Sequence, residues 1–213
     1  MIFDVEKGLE AGVNSSNLNE ELGMVHYIFS DKTGTLTQNI MEFKRFSVGT
    51  QSYGISEPRK IEYPPGVTNV NFDDDTFFAH LDDKSHPNHK NINKYLECLG
   101  LCHTIITEAK ETKEGKPYVL YNASSPDELA LVNGARHFGF AFKERDENSN
   151  IVIEKTRSGE TVKYELLNVL EFDSARKRMT VIVRTPENKV MVICKGADSI
   201  IEKRLRPGQE TLV

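Results

Sequence analysis

Two β-rich runs, residues 179–185 and 189–194, stand only three residues apart, with Pro186-Glu187-Asn188 between them. Strands joined by so short a connection must pair antiparallel, because a parallel partner needs a crossover of a dozen residues or more. A hairpin turning near Glu187 sets Lys195 roughly opposite Met179 and returns it to the end of the sheet where Lys177 stands. Further strand-like segments precede it at 118–122, 140–143, 151–155 and 162–170. The C-terminal part of the chain is therefore expected to build an antiparallel sheet.

Two helices accompany these strands. Ile92, Tyr95, Leu96, Leu99 and Cys102 recur at spacings of three and four, the period of one helical face. A second helix, 126–138, opens on Ser125-Pro126-Asp127-Glu128, which has the form of a capping box with proline at the first helical position, and is closed by Gly139. The fold class read from this order is α/β of the α+β kind, an antiparallel sheet flanked by helices. Residues 54–91, which hold Pro58, Pro64, Pro65 and Pro87, read as irregular. Within them Asp73-Asp74-Asp75 lacks the glycine and downstream glutamate of an EF-hand loop and reads as a solvated face. His80, His86 and His89 read as loop histidines.

The N-terminal part is different in character. Residues 1–22 are polar, with a loop at Asn14-Ser15-Ser16-Asn17 and a short turn over 18–22. Residues 25–29 (VHYIF) read as a buried strand, and the alternation of MEFKRFSV at 41–48 as another. A composition shift near residue 48 divides the chain into 1–48 and 49–213. Between the two N-terminal strands lies SDKTGTLTQN, residues 30–39. One reading is purely structural, a turn in which Gly34 supplies a positive φ and the threonines cap the next element. The other is chemical. Ligands bind at the carboxyl ends of strands in α/β sheets, where Asp31 falls. A carboxylate there can attack a phosphoryl group and form an aspartyl phosphate. Lys32, the Thr33 hydroxyl and the amides around Gly34 are the donors such a step needs, usually with Mg²⁺.

Composition removes several classes. A net charge of −5 and a pI near 5.7 argue against a nucleic-acid binder, while leaving small anionic ligands open. Cys98, Cys102 and Cys194 sit at no metal-ligand spacing, and buried reduced thiols suited to a reducing cytosol are the default. No run approaches the ~18 apolar residues of a membrane span, and Met1-Ile2-Phe3-Asp4 does not begin a signal peptide.

DKTGTLTQN closely resembles the phosphorylation signature of P-type ATPases, pumps built on a haloacid-dehalogenase-like domain. Phosphatases of that superfamily carry a second aspartate two positions after the nucleophile; here that position is Thr33. Without a proton-transferring group the phosphoenzyme persists, which favours a pump cycle. Residues 18–54, LCHT at 101–104, SSPDELALV at 124–132, LEFDSARKRMTVIVRT at 170–185 and CKGADSII at 194–201 resemble the type IV subfamily, the phospholipid flippases. Within that set, SPDE and KGAD carry the subfamily distinction. Residues 1–17, 55–90 and 202–213 have no clear counterpart.

The resemblance implies the start of a phosphorylation domain (1–48) followed by a nucleotide-binding domain, incomplete at its C-terminal end (49–213), that delivers ATP to Asp31. It implies that Phe172 stacks on adenine, Glu128 accepts from the exocyclic amine, and Lys195 lines the deep end of the pocket. Ser174 and Lys177 are further nucleotide candidates, as are Lys32 and Thr33 beside the phosphate; Asp31 and Thr33 are candidate Mg²⁺ ligands. Each has an ordinary alternative: Glu128 a capping-box residue, Phe172 core, Lys177 a solvated strand-end charge. The family's downstream aspartates, actuator loop, membrane helices and later nucleotide-contacting arginine are absent, so the chain is expected to be a fragment of a longer pump. The implied partners are ATP, a phospholipid and the membrane through segments outside the chain, and room for an accessory subunit, with the present segment on the cytoplasmic side. Two other readings stay open: an isolated nucleotide-binding module without catalysis, and a segment of a cation-transporting relative. A soluble phosphohydrolase is disfavoured by Thr33.

Overall fold

The computed structural model describes residues 3–5, 8–10, 12, 18–54 and 62–209. The expected loop at 14–17 lies outside them. The chain divides into two compact units, Met1–Asn39 and Ile40–Val213.

The first unit holds a short antiparallel pair, β1 (Phe3–Asp4) and β2 (Leu9–Glu10), and the helix α1 (Leu18–Gly23) where a turn was expected. The run 25–29 forms no strand, and Val25, Tyr27, Ile28 and Phe29 are exposed, Phe29 at 95%. This corrects the expectation of a buried strand. An apolar run becomes a strand only when a neighbouring strand takes up its hydrogen bonds, and no strand among the described residues pairs with it.

The second unit is built on a five-stranded antiparallel meander in the order β11-β10-β9-β8-β7. Its strands are β7 (Phe140–Arg145), β8 (Asn150–Lys155), β9 (Glu160–Asp173), β10 (Arg178–Arg184) and β11 (Val190–Gly196). The last hairpin has the expected register, with Met179 opposite Lys195 and Val181 opposite Ile193. Two helices, α3 (His89–Leu101) and α4 (Pro126–His137), cover one face and bury Ile92, Leu96, Leu99 and Val132 against Phe142, Ile151, Ile153, Val181 and Val183. Gly139 ends α4 at a φ of 101°, a left-handed stop that glycine adopts without strain. A second hairpin, β5 (Ile106–Glu111) with β6 (Pro117–Asn122), follows α3; its polar first strand was not anticipated.

The described residues of 54–91 are less irregular than expected. They contain α2 (Asp75–Asp82), and Asp74 is its N-cap, accepting from Phe77 N at 3.1 Å through Oδ1. Its other oxygen accepts from Gly54 N at 2.8 Å. Part of the acidic run therefore starts a helix, which corrects its reading as a solvated face. His80 belongs to α2 and His89 opens α3, so neither is a loop histidine; His80 Nδ1 lies 3.0 Å from the buried Tyr53 hydroxyl and its ring stacks on His86. The expected strand at 41–48 is reduced to β3 (Phe46–Val48), which pairs with β4 (Gln51–Tyr53). Residue 48 thus lies on a hairpin, and Phe43 already packs into an aromatic cluster with Phe46, Phe72 and Phe138.

Candidate functional site

One end of the sheet carries a cleft of about 580 Å³. The N-cap and first turn of α4 supply Ser125, Asp127 and Glu128, and its second turn Leu131; the ends of β9, β10 and β11 supply Glu171, Phe172, Met179, Lys195 and Gly196; Thr104 enters from the segment between α3 and β5. Three of the residues singled out from the sequence converge here, Glu128, Phe172 and Lys195.

Glu128 is 7% exposed and held from two sides. Lys195 Nζ donates to Oε1 at 3.1 Å and Thr104 Oγ1 donates to Oε2 at 2.8 Å. Burial pushes its carboxyl up, but the Lys195 charge and the hydrogen bonds from Thr104 and Lys195 outweigh it, so the group stays below the ordinary carboxylate value. The capping-box expectation is corrected here. Ser125 is the N-cap and Pro126 takes the first turn, but Ser125 makes no side-chain cap bond and the Glu128 carboxylate turns to Thr104 and Lys195 instead. Each of its oxygens still has a lone pair to offer.

Phe172 is 64% exposed, so it is not core. It stands at the mouth as an uncovered aromatic face, with Met179 and Leu131 as apolar lining further in. Next to it, Asp173 Oδ1 accepts from Ala175 N at 2.7 Å and Arg176 N at 3.0 Å, which folds 173–177 into a tight turn. Lys177 closes the turn at a φ of 50°. Ser174 and Lys177 are exposed on this turn and do not line the cleft. Gly196 lets the strands approach: a Cβ there would lie 2.5 Å from Lys177 O.

Thr104 was missed as a site residue, although LCHT stood out in the sequence. Its backbone is fixed by His103, which is fully buried. His103 Nε2 lies 2.9 Å from Gly100 O, and its Nδ1 accepts from Ile105 N at 3.2 Å. Arg145 donates to the His103 carbonyl at 2.7 Å. Burial drives the His103 imidazole down to about 3, so it stays neutral, with the proton on Nε2. Cys102, also buried, is pushed up to about 11 by burial and remains a thiol.

In the first unit, Asp31 sits in extended backbone before a wide turn over Lys32–Leu36, closed by Thr37 N donating to Lys32 O at 3.2 Å. Thr33 (φ −79°, ψ 121°) and Gly34 (φ 80°, ψ −5°) have the central angles of a type II turn, so Gly34 supplies the positive φ. Asp31, Lys32 and Thr33 are all exposed, and the Asp31 side chain caps nothing. Its carboxylate oxygens are free to meet a ligand. Mg²⁺ takes six oxygens and is usually held by one or two carboxylates plus phosphate and water. Asp31 with an oxygen of Thr33 fits such a partial donor set, and among the described residues no group of three or more His, Cys, Asp or Glu forms a self-sufficient metal cage.

The cleft, the meander and the match of residues 91–206 to the family described as P-type ATPase, cytoplasmic domain N, define the class: the chain belongs to that family. It is most like phospholipid-transporting members. It is 40% identical over 99% of its length to phospholipid-transporting ATPase FetA of Mus musculus, and 41% identical over 97% to probable phospholipid-transporting ATPase IM of Homo sapiens. Phospholipid-transporting ATPase IC of Homo sapiens is 39% identical over 96% of the chain. The chain spans 16–18% of the length of these relatives.

Proposed function

We propose that this chain is the ATP-binding and phosphoacceptor segment of a phospholipid-translocating P-type ATPase. The observation that carries the reading is the buried Glu128 carboxylate, pinned by Lys195 and Thr104 in a cleft whose mouth presents the exposed Phe172. An apolar cleft with one aromatic face and a few converging polar groups is what an adenine nucleotide requires. Phe172 stacks on the base, Glu128 accepts from its exocyclic amine, and Lys195 closes the deep end. Ser174 and Lys177, outside the lining, serve only a portion of the nucleotide that extends past the mouth.

In this proposal residues 1–48 act as the start of the phosphorylation domain and 49–213 as the nucleotide-binding domain. A carboxylate oxygen of Asp31 attacks the γ-phosphorus, a new O–P bond forms, and the bond to the bridging oxygen breaks with its electron pair leaving on ADP. Lys32 and the Thr33 hydroxyl face the transferring oxygens. Mg²⁺ would be held by Asp31 and Thr33 and would supply neutralisation of phosphate charge. Thr33 brings no proton-transferring group, so water is not activated at once. The parent sits in a membrane with this segment on its cytoplasmic side, transports a phospholipid, and has room for an accessory subunit. Among the described residues no helix is long and apolar enough to cross a membrane. The isolated chain is expected to bind nucleotide without turning it over, since positioning and charge stabilisation dominate phosphoryl transfer and the chain spans only 16–18% of the length of its relatives.

Acid-stable labelling of the full-length parent from γ-labelled ATP tests the reading. Asp31→Asn should abolish the label while leaving nucleotide binding nearly intact; labelling at the wild-type level sinks the assignment.

A further inference from the structure

Two residues hold Glu128, and they are anchored differently. Lys195 reaches it from an edge strand on a long flexible stem, so it fixes charge more than direction. Thr104 is different. Its side chain is short, and its backbone lies between groups that cannot move independently: His103 bridges Gly100 O and Ile105 N, packs edge-on to Phe142 at 4.5 Å, and receives Arg145 on its carbonyl. The 2.8 Å bond from Thr104 Oγ1 to Glu128 Oε2 is thus the directional one.

We infer that Thr104 is a positioning residue for base selection: it locks the Glu128 carboxylate in the one orientation that accepts from an exocyclic amine. The inference rests on the nucleotide reading above. An ionised carboxylate is an acceptor only. Held still, it meets the amine of adenine and opposes a ring carbonyl at the same place. Freed to rotate, it turns to the ring N–H that hypoxanthine presents beside its carbonyl and accepts from that instead. Sites that hydrogen-bond a fixed group reject an analogue lacking it far more strongly than apolar pockets do. The selectivity for an amine over a carbonyl therefore resides in the Thr104 hydroxyl as well as in Glu128. Lys195 alone satisfies the charge and does not set the angle.

The test is calorimetric titration of the whole chain with ATP and with ITP, which differ at that edge of the base. The wild type should prefer ATP. Thr104→Val keeps the shape and removes the donor; it should shrink the ATP-to-ITP ratio about tenfold, the equivalent of about 1.4 kcal/mol, mainly through lost ATP affinity. Thr104→Ser should restore the ratio, which a merely structural threonine would not require. If Thr104→Val fails to fold by circular dichroism, Thr104→Ala set against Thr104→Ser is read in the same way. A folded variant lacking the hydroxyl but keeping the wild-type ratio overturns this inference alone. A wild type that binds neither nucleotide overturns the nucleotide reading and the inference with it. One that binds both equally removes Glu128 from base recognition.

Discussion

Glu128 and Lys195, 67 residues apart in the chain, meet at 3.1 Å, and the carboxylate is all but closed off from solvent. Removing either partner leaves the other with an uncompensated charge, and the cost is greater for Glu128 because it is the more buried. Lys195→Ala should therefore destabilise the folded chain by about 1–3 kcal/mol, discounted for the exposure of the lysine. Urea unfolding at neutral pH measures it; an unchanged midpoint would mean that the pair contributes nothing.

The same pair sets a pH dependence. The folded Glu128 carboxyl lies below its ordinary value of 4.5, so between the two values the folded chain binds fewer protons than the unfolded one. Its contribution is complete above the ordinary value and is lost as pH falls through the folded one. The stability gap between wild type and Glu128→Gln should therefore hold at neutral pH and narrow as pH falls below 4.5. A gap that stays constant or widens on acidification contradicts the assignment.

Phe172 is mostly uncovered, so its truncation should spare the fold and strike binding. Phe172→Ala is expected to weaken ATP affinity at least about tenfold, on the scale of base stacking on aromatic faces. Lys177→Ala, on the exposed turn outside the lining, should cost less because water and salt screen it. Calorimetry at fixed salt compares them, with circular dichroism alongside. Equal losses, or normal binding by folded Phe172→Ala, would move the base elsewhere.

Asp74 joins two elements by capping α2 and tethering Gly54. Asp74→Ala loses both bonds and should lower stability by about 1–2 kcal/mol, the range of a strong N-cap. Thermal melts of the two proteins suffice. A shift within error would show that solvent replaces both bonds without cost.

How far the sequence reveals this architecture depends on how local each determinant is. Lys195 is placed opposite Met179 because a short connection leaves the hairpin little freedom of register. Glu128 is ambiguous for a physical reason. The third position of a helix serves equally a cap and a ligand, and only partners from distant segments, Thr104 and Lys195, decide between them. Thr104 itself lies in a connector with no periodicity to read. Asp74 does carry a local signal, an acidic residue just ahead of the apolar Phe77 and Leu81, which the reading as a solvated face passed over. β5 is hidden because Thr107, Glu108, Lys110 and Glu111 are polar, and its partner β6 makes it a strand. For residues 25–29 the apolar composition is plain, but strand formation is decided by neighbours.

That unpaired run has a practical consequence for anyone handling the chain. Val25-His26-Tyr27-Ile28-Phe29 holds no proline and no aspartate, glutamate, lysine or arginine, and exposes its large apolar side chains. Backbone of this kind is a template on which a second molecule can add a strand, and repeated addition makes aggregates. Concentrated samples should self-associate through it, seen as light scattering that rises with concentration. A single charge placed in its middle, Ile28→Lys, should suppress the scattering without touching the cleft. One substitution in the first unit thus separates the colloidal behaviour of the chain from its nucleotide binding.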